Sequence, residues 1–323
     1  MSEVQEVKKP RYSYTALSGF SNCEYQFYLK YIAKRRSEES ALHLELGNLA
    51  HKIKELISKD LMAGNTPDYE KYEEMLLKEG YTGLDKANGQ EEILLSCDEL
   101  RGKYFEDWIA PDTKSGMTYE QKLGIFVEHL KDEEHDPEWH TIGAEVNFEV
   151  EFDDVILFGI IDKIQENSQG QLRIVDYKSS KKVFTDAEIR TPLQMLVYHL
   201  AVKNMFPDRE IVQYMYDFVF LGKTQIGGTK GWIDRGLKKL RKLIAGIDEA
   251  KASGVFKPCP SPLCHWCDYC ETKDRFEPAF YKLCPYHSQW TPDNKTYEKA
   301  REYKGEKAED ILNKATEKKA FWF

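Results

Sequence analysis

Val155 to Ile164 is a nearly continuous apolar run, broken only by Gly159, Asp162 and Lys163. A short run of this kind suits a strand in the middle of a sheet, covered on both faces. Its flanks extend the sheet. Upstream, from about Ala144, Val146, Phe148, Val150 and Phe152 alternate with Glu145, Asn147, Glu149 and Glu151, the pattern of a strand with one wet face. Downstream, Asn167-Ser168-Gln169-Gly170 reads as a turn, and Leu172 to Tyr177 as the next strand. Thr191-Pro192, an N-cap followed by proline, opens a helix that runs to about Met205. Ile211 to Leu221 is a fourth strand and Trp232 to Ser253 another helix. The expected fold is α/β, a mixed central sheet flanked by helices.

Two amphipathic helices precede the sheet. Residues 12–34 carry Leu17, Phe20, Cys23, Phe27 and Tyr31 at helical spacing, with Thr15 or Ser18 as cap. A second helix, from about Gly47 to Met62, has Leu46, Leu49, Ile53, Leu56 and Ile57 on one side and His51 nearly opposite Ile53. Residues 68–135 are charged and helical in pattern, an insertion suited to shaping a substrate channel. The tail from Asn294 reads as a charged helix ending in Phe321-Trp322-Phe323, either packed on the body or available to a partner.

The chain has 323 residues, 41% hydrophobic and 31% charged, the profile of a soluble globular protein. No apolar run approaches the ~20 residues of a membrane span, and Met1 to Arg11 has no signal-peptide core. A cytoplasmic location is expected, with the seven cysteines reduced or metal-bound. Net charge is −9, against the basic total common in nucleic-acid binders. Local basic runs at Lys34-Arg35-Arg36, Lys178 to Lys182 and Arg235 to Lys242 offset this, because local field decides where a phosphate backbone docks.

The chemistry concentrates at Asp162 and at Asp176-Tyr177-Lys178. Residues i and i+2 of a strand share a face, so Asp176 and Lys178 point the same way. A flush two-residue loop at Ser168-Gln169 would pair Asp162 with Val175 and put the two acids on opposite faces. A register shifted by one, with Gly170 left-handed, brings them together, and that register is the one expected. Two carboxylates suit Mg²⁺ or Mn²⁺ beside a phosphate, and a lysine can orient the attacking water. Cys264-His-Trp-Cys267, among the five cysteines from Cys259 to Cys284, is a metal-ligand knuckle. Gly222-Lys223-Thr224 is no phosphate loop, because Asp217 stands where the first glycine belongs.

His51, Gly159-Ile160-Ile161-Asp162, Asp176-Tyr177-Lys178 and Gln194-x-x-x-Tyr198 together resemble the motif series of the PD-(D/E)XK nuclease superfamily, in its RecB-type exonuclease branch. The match covers residues 12–62 and 144–287. The resemblance implies His51, Asp162 and Asp176 as metal ligands, Lys178 as the water-positioning residue, and Gln194 and Tyr198 as supports. Gln194 also sits at capping-box spacing from Thr191, and Glu145 stands where the branch often has an acid but on the wet face of its strand. AddB-like and CRISPR-associated members of the branch bind an iron–sulfur cluster through one early cysteine and three late ones. That implies a [4Fe–4S] cluster on Cys23, Cys264, Cys267 and Cys284, with Cys270 as the alternative fourth ligand, since the usual third late position is Lys273 here. Zinc on Cys264, Cys267, Cys284 and His287 is the competing reading.

The expected organisation is N-terminal helices over 1–67, a helical insertion over 68–143, a nuclease core over 144–255, a cysteine-rich segment over 256–288 and a charged tail over 289–323. The expected function is a Mg²⁺- or Mn²⁺-dependent exonuclease on single-stranded DNA or DNA ends, in recombination, repair or replication, with a protein partner at the tail. The alternatives are a CRISPR spacer-processing nuclease and a zinc-bearing, non-catalytic nucleic-acid-binding module.

Overall fold

The computed structural model describes residues 9–35, 41–84, 89–130, 137–190, 192–229, 231–270, 283–291, 296–299 and 302–320. Arg36, Thr191, Lys273 and Phe321 to Phe323 lie outside these residues. The chain divides into two compact units, Met1–Arg11 with Ser40–Gly236, and Tyr12–Glu39 with Leu237–Phe323.

The first unit holds a mixed sheet with helices, the architecture expected. Its strands are ordered Trp139–Phe152, Val155–Asn167, Leu172–Lys178, Ile211–Phe218 and Lys223–Gly228. Neighbours are antiparallel except Leu172–Lys178 and Ile211–Phe218, which run parallel. That parallel pair needs a crossover, and the helix Leu193–Met205 supplies it. Lys223 and Thr224 lie in the edge strand, paired with Phe218 and Asp217.

The hairpin register is the shifted one. Lys163 pairs with Val175, Ile164 with Ile174, Gln165 with Arg173 and Glu166 with Leu172. One further step sets Asp162 across from Asp176, on the same face. The turn achieves this with Gly170 at φ 75°, in the left-handed region that a side chain would strain. Asn167 Oδ1 accepts the N–H groups of Gln169 and Gln171, which closes the loop.

The helix Leu42–Met62 starts earlier than its apolar pattern indicated. Leu46, Leu49, Ile53 and Ile57 are fully buried and share a core with Val175, Tyr177, Val219 and Phe220. Each such side chain contributes about 1.5–3 kcal/mol by leaving water. This seam fixes the His51 helix to the strand that carries the acid-lysine triplet.

Several expectations are corrected. The first long strand begins at Trp139 rather than near Ala144. The stretch read as a helical insertion contains an antiparallel hairpin, Tyr81–Leu84 with Glu91–Leu94. Pro192 is the N-cap of the crossover helix rather than its first residue, and it makes no side-chain cap bond. Residues 12–34 do not form one helix. The helix Tyr14–Asn22, capped by Ser13, ends where Cys23 turns extended at φ −161° and ψ 112°, and Glu24–Phe27 restarts it. Among the described residues the tail is helical over Ala308–Ala320, behind a short antiparallel pair of Ser288–Thr291 and Thr296–Lys299.

In the second unit the early and late segments are stitched together. The carbonyl of Lys257 accepts the Tyr25 N–H at 3.3 Å. The Glu24 carboxylate accepts the Lys257 N–H at 2.9 Å, and Tyr25 donates its hydroxyl to the Leu283 carbonyl at 3.0 Å. Phe27 packs against Phe20 edge-on and against Phe256 face to face. Among the described residues no helix is long and apolar enough to cross a membrane.

Candidate metal-dependent active site

Four elements of the first unit converge on one polar cluster. His51 comes from the Leu42–Met62 helix, Asp162 and Asp176 from neighbouring strands, and Gln194 and Tyr198 from the crossover helix. Tyr177 donates its backbone N–H to Asp162 Oδ2 at 2.6 Å. His51 Nδ1 lies 3.8 Å from the same oxygen. The His51 ring meets the Tyr177 ring edge-on, centroids 5.7 Å apart.

Lys178 and Gln194 hold Asp176. Lys178 Nζ is 2.5 Å from Asp176 Oδ2 and donates to Gln194 Oε1 at 2.8 Å. Gln194 Nε2 donates to Asp176 Oδ1 at 2.7 Å and to the Tyr198 hydroxyl at 2.9 Å. Gln194 therefore spends its amide on the site, and Thr191, its partner by capping-box spacing, lies outside the described residues. Tyr198 is one turn further along the same helix face, and its ring packs edge-on against Phe148.

Glu145 belongs to the cluster, against the wet-face expectation. One donor atom each from His51, Glu145 and Asp162 lies within 4.8 Å of the others, and among the described residues this group alone could hold an ion in that way. The pairs Ala144 with Lys163 and Val146 with Ile161 bracket Glu145 opposite Asp162. The strand is irregular here. Its register slips between Thr141 and Gly143, and Glu145 has φ 48°, a strained value for a residue with a side chain. The pairing keeps one register from Gly143 to Phe152, so Glu145 shares a face with Asn147 and Glu149, and that face meets Asp162 across the strands. The remaining signal was an acid at the head of the strand facing Asp162.

The electrostatics suit a cation. Burial, countered by the Tyr177 N–H and by Lys178, leaves Asp162 raised to about 6. Burial raises Asp176 to about 6 as well, with Lys178 opposing it and Asp162 adding to it. Glu145 is pushed up to about 8, first by burial and then by Asp162. Burial lowers His51, which keeps a neutral ring nitrogen available as a ligand. Three crowded carboxyls with raised pKa values and a neutral imidazole are a donor set that a hard divalent cation relieves. His51, Glu145 and Asp162 thus fit such an ion, whereas Asp176 stands outside that group with its two oxygens held by Lys178 and Gln194.

Beneath the site Lys54 is fully buried. Its ammonium meets Asp217 Oδ2 at 3.3 Å, and His129 Nε2 meets Asp217 Oδ1 at 3.0 Å. No motif in the sequence marks this group.

In the second unit, Cys23, Cys259, Cys264, Cys267, Cys270, Cys284 and His287 line one cavity of about 200 Å³. The Cys284 thiol interacts electrostatically with Cys267, Cys23 and Cys264. Burial pushes Cys267 up to about 12, and Cys284 well above the ordinary thiol range. N–H groups aim at the sulfurs, from Cys259 to Cys23 at 3.4 Å, from Ser261 to Cys264 at 3.5 Å and from the Gln26 amide to Cys267 at 3.7 Å. Cys270 is buried beside Cys284, their backbones bridged. Cys97 is buried in the other unit. The chemistry fits a group that takes thiolates and accepts N–H···S bonds.

A profile of the PD-(D/E)XK nuclease superfamily matches residues 11–275. The B component of an ATP-dependent helicase/deoxyribonuclease from Clostridioides difficile is 25% identical over 224 residues, covering 62% of this chain and 18% of that protein. The protein of the same name from Streptococcus agalactiae is 27% identical over 207 residues, covering 62% of this chain and 17% of that one. The chain therefore spans less than a fifth of the length of these relatives. A crystal structure of a Eubacterium rectale protein, assigned provisionally as an exonuclease, aligns with TM-score 0.40 and 15% identity over 85% of this chain and 93% of the other.

Proposed function

Because the chain belongs to the PD-(D/E)XK nuclease superfamily, we propose that it is a Mg²⁺- or Mn²⁺-dependent deoxyribonuclease of the RecB-type branch, acting on single-stranded DNA or DNA ends. One observation carries this reading. Asp162, Asp176 and Lys178 share one cluster, and the Tyr177 N–H and Gln194 amide fix the two acids from behind. His51, Asp162 and Asp176 would hold the ion, with Glu145 as a further donor. When bound, such an ion lowers the pKa of a water and stabilises charge on a phosphate. Lys178 aligns that water and offsets charge on the phosphate oxygens. Gln194 keeps the Lys178 ammonium over Asp176, and Tyr198 steadies Gln194.

We further propose a [4Fe–4S] cluster on Cys23, Cys264, Cys267 and Cys284. All four line one cavity, and Cys270, buried beside Cys284, is the alternative fourth ligand. Zinc on Cys264, Cys267, Cys284 and His287 is the competing occupant of the same cavity. The similarity to the B components of helicase/deoxyribonucleases favours a role in recombination or repair beside a helicase partner, over CRISPR spacer processing.

The test is digestion of end-labelled single- and double-stranded DNA with Mg²⁺, with Mn²⁺ and with EDTA. Cleavage that needs the metal and is lost in Asp162→Ala, with DNA binding kept, is the expected result. A parent protein that binds DNA but never cuts it would make this chain a binding module.

A further inference from the structure

Gly47 lies inside the Leu42–Met62 helix, one turn before His51 and on the same face. It is absent from the chain's left-handed glycines, so the backbone does not require glycine there. The space does. A Cβ at Gly47 would lie 3.0 Å from Ser179 Oγ and 3.3 Å from Ser179 Cβ. The hydroxyl could rotate away, but the Cβ can retreat only if the backbone moves. That backbone is the residue after Lys178, whose carbonyl is tied to the Val219 N–H at 3.1 Å. A push on Ser179 is therefore passed to Lys178 and, through the 2.5 Å ion pair, to Asp176.

We propose that Gly47 is a positioning residue. Its missing side chain sets how closely the helix bearing His51 approaches the strand end bearing Asp176 and Lys178, and so the span of the metal site. The inference rests on the nuclease reading for its consequence in catalysis. Sites of this kind tolerate displacements of about 0.5 Å or less, and a shift of 1 Å costs about 100-fold. A few tenths of an ångström at Ser179 should then show as roughly a tenfold loss.

The test is a double-mutant cycle with Gly47→Ala and Ser179→Gly, since the second substitution removes both opposing atoms. Three quantities are read for each protein: kcat on labelled DNA, Mn²⁺ affinity by titration calorimetry, and thermal midpoint. Alanine is the better helix former, so the midpoint of Gly47→Ala should hold within a few degrees. Its kcat and Mn²⁺ affinity should each fall about tenfold. In the Ser179→Gly background the same substitution should cost less than about twofold. An unchanged Gly47→Ala protein overturns the proposal. So does an equal loss in both backgrounds, or unfolding in both. If the parent binds Mn²⁺ but cuts no DNA, the nuclease reading fails, while the Mn²⁺ affinities still decide the role of Gly47. A parent that binds no Mn²⁺ overturns both.

Discussion

The Tyr177 backbone N–H sits 2.6 Å from Asp162 Oδ2, so the middle residue of the acid-lysine triplet orients the acid of the neighbouring strand. The triplet supplies Asp176 and Lys178 to one face and a main-chain donor to Asp162. Replacing Asp162 by asparagine keeps an acceptor for that N–H while removing the charge. DNA cleavage should fall by at least about 100-fold, and the thermal midpoint should not drop, because a costly buried charge has gone. Loss of cleavage together with a collapse of the midpoint would count against the metal role.

Gln194 touches Asp176, Lys178 and Tyr198 at once. Gln194→Ala should lower kcat by about 10–100-fold and leave DNA affinity within about threefold, as expected of a group that orients others. Steady-state kinetics with a binding isotherm measures both. A change confined to KM would place Gln194 on the DNA instead.

Glu145→Gln keeps the size of the side chain and removes one charge beside Asp162. The Mn²⁺ concentration for half-maximal cleavage should rise about tenfold or more, with kcat at saturating metal less affected. An unaltered metal titration would return Glu145 to the role of a strained strand residue.

Burial pushes the Asp217 carboxyl up, but Lys54 and His129 outweigh it and hold it down at about 2. The folded value lies below the ordinary value of about 3.9. Its contribution to stability is therefore complete above roughly pH 4 and is lost as the pH falls toward 2, on the order of 2 kcal/mol. Asp217→Asn strands the buried Lys54 and should cost about 3–5 kcal/mol at neutral pH, while flattening that acid limb. Urea unfolding from pH 2 to pH 7 measures both effects.

Iron and sulfide analysis should give four of each per chain with visible absorbance. Alanine at Cys23, Cys264, Cys267 or Cys284 should abolish that absorbance, whereas Cys270→Ala and Cys97→Ala should retain it. Stoichiometric zinc without colour would reassign the cavity.

The sheet was legible because its central strands are apolar in composition, as Val155 to Ile164 is, although that run is not covered on both faces as expected, since Ile160 is exposed and Ile156 and Phe158 are half-buried. The hairpin register was legible from chemistry, since only the shifted pairing lets Asp162 face Asp176, and the structure has it. Glu145 was hidden because its face is shared with the exposed Asn147 and Glu149, and only the pairing with the neighbouring strand shows that the same face meets Asp162. The hairpin of Tyr81–Leu84 and Glu91–Leu94 was hidden by its brevity and by charged residues that read equally well as helix. Lys54 was hidden because its partners, Asp217 and His129, are remote in sequence. The break at Cys23 was hidden because the apolar spacing continues through it.

The unit that gathers the thiols is assembled from Tyr12–Glu39 and Leu237–Phe323, with the other unit's chain threaded between them. During synthesis, therefore, Cys23 leaves the ribosome long before Cys264 exists. At about 5–20 residues per second the wait is roughly 10–50 s. The intervening Ser40–Gly236 segment can fold in that interval, so any loading of the cysteine pocket would be a late event in the life of each new molecule. A ribosome stalled before Cys264 would carry a finished sheet and an empty thiol, exposed to whatever oxidant or stray metal the cell supplies.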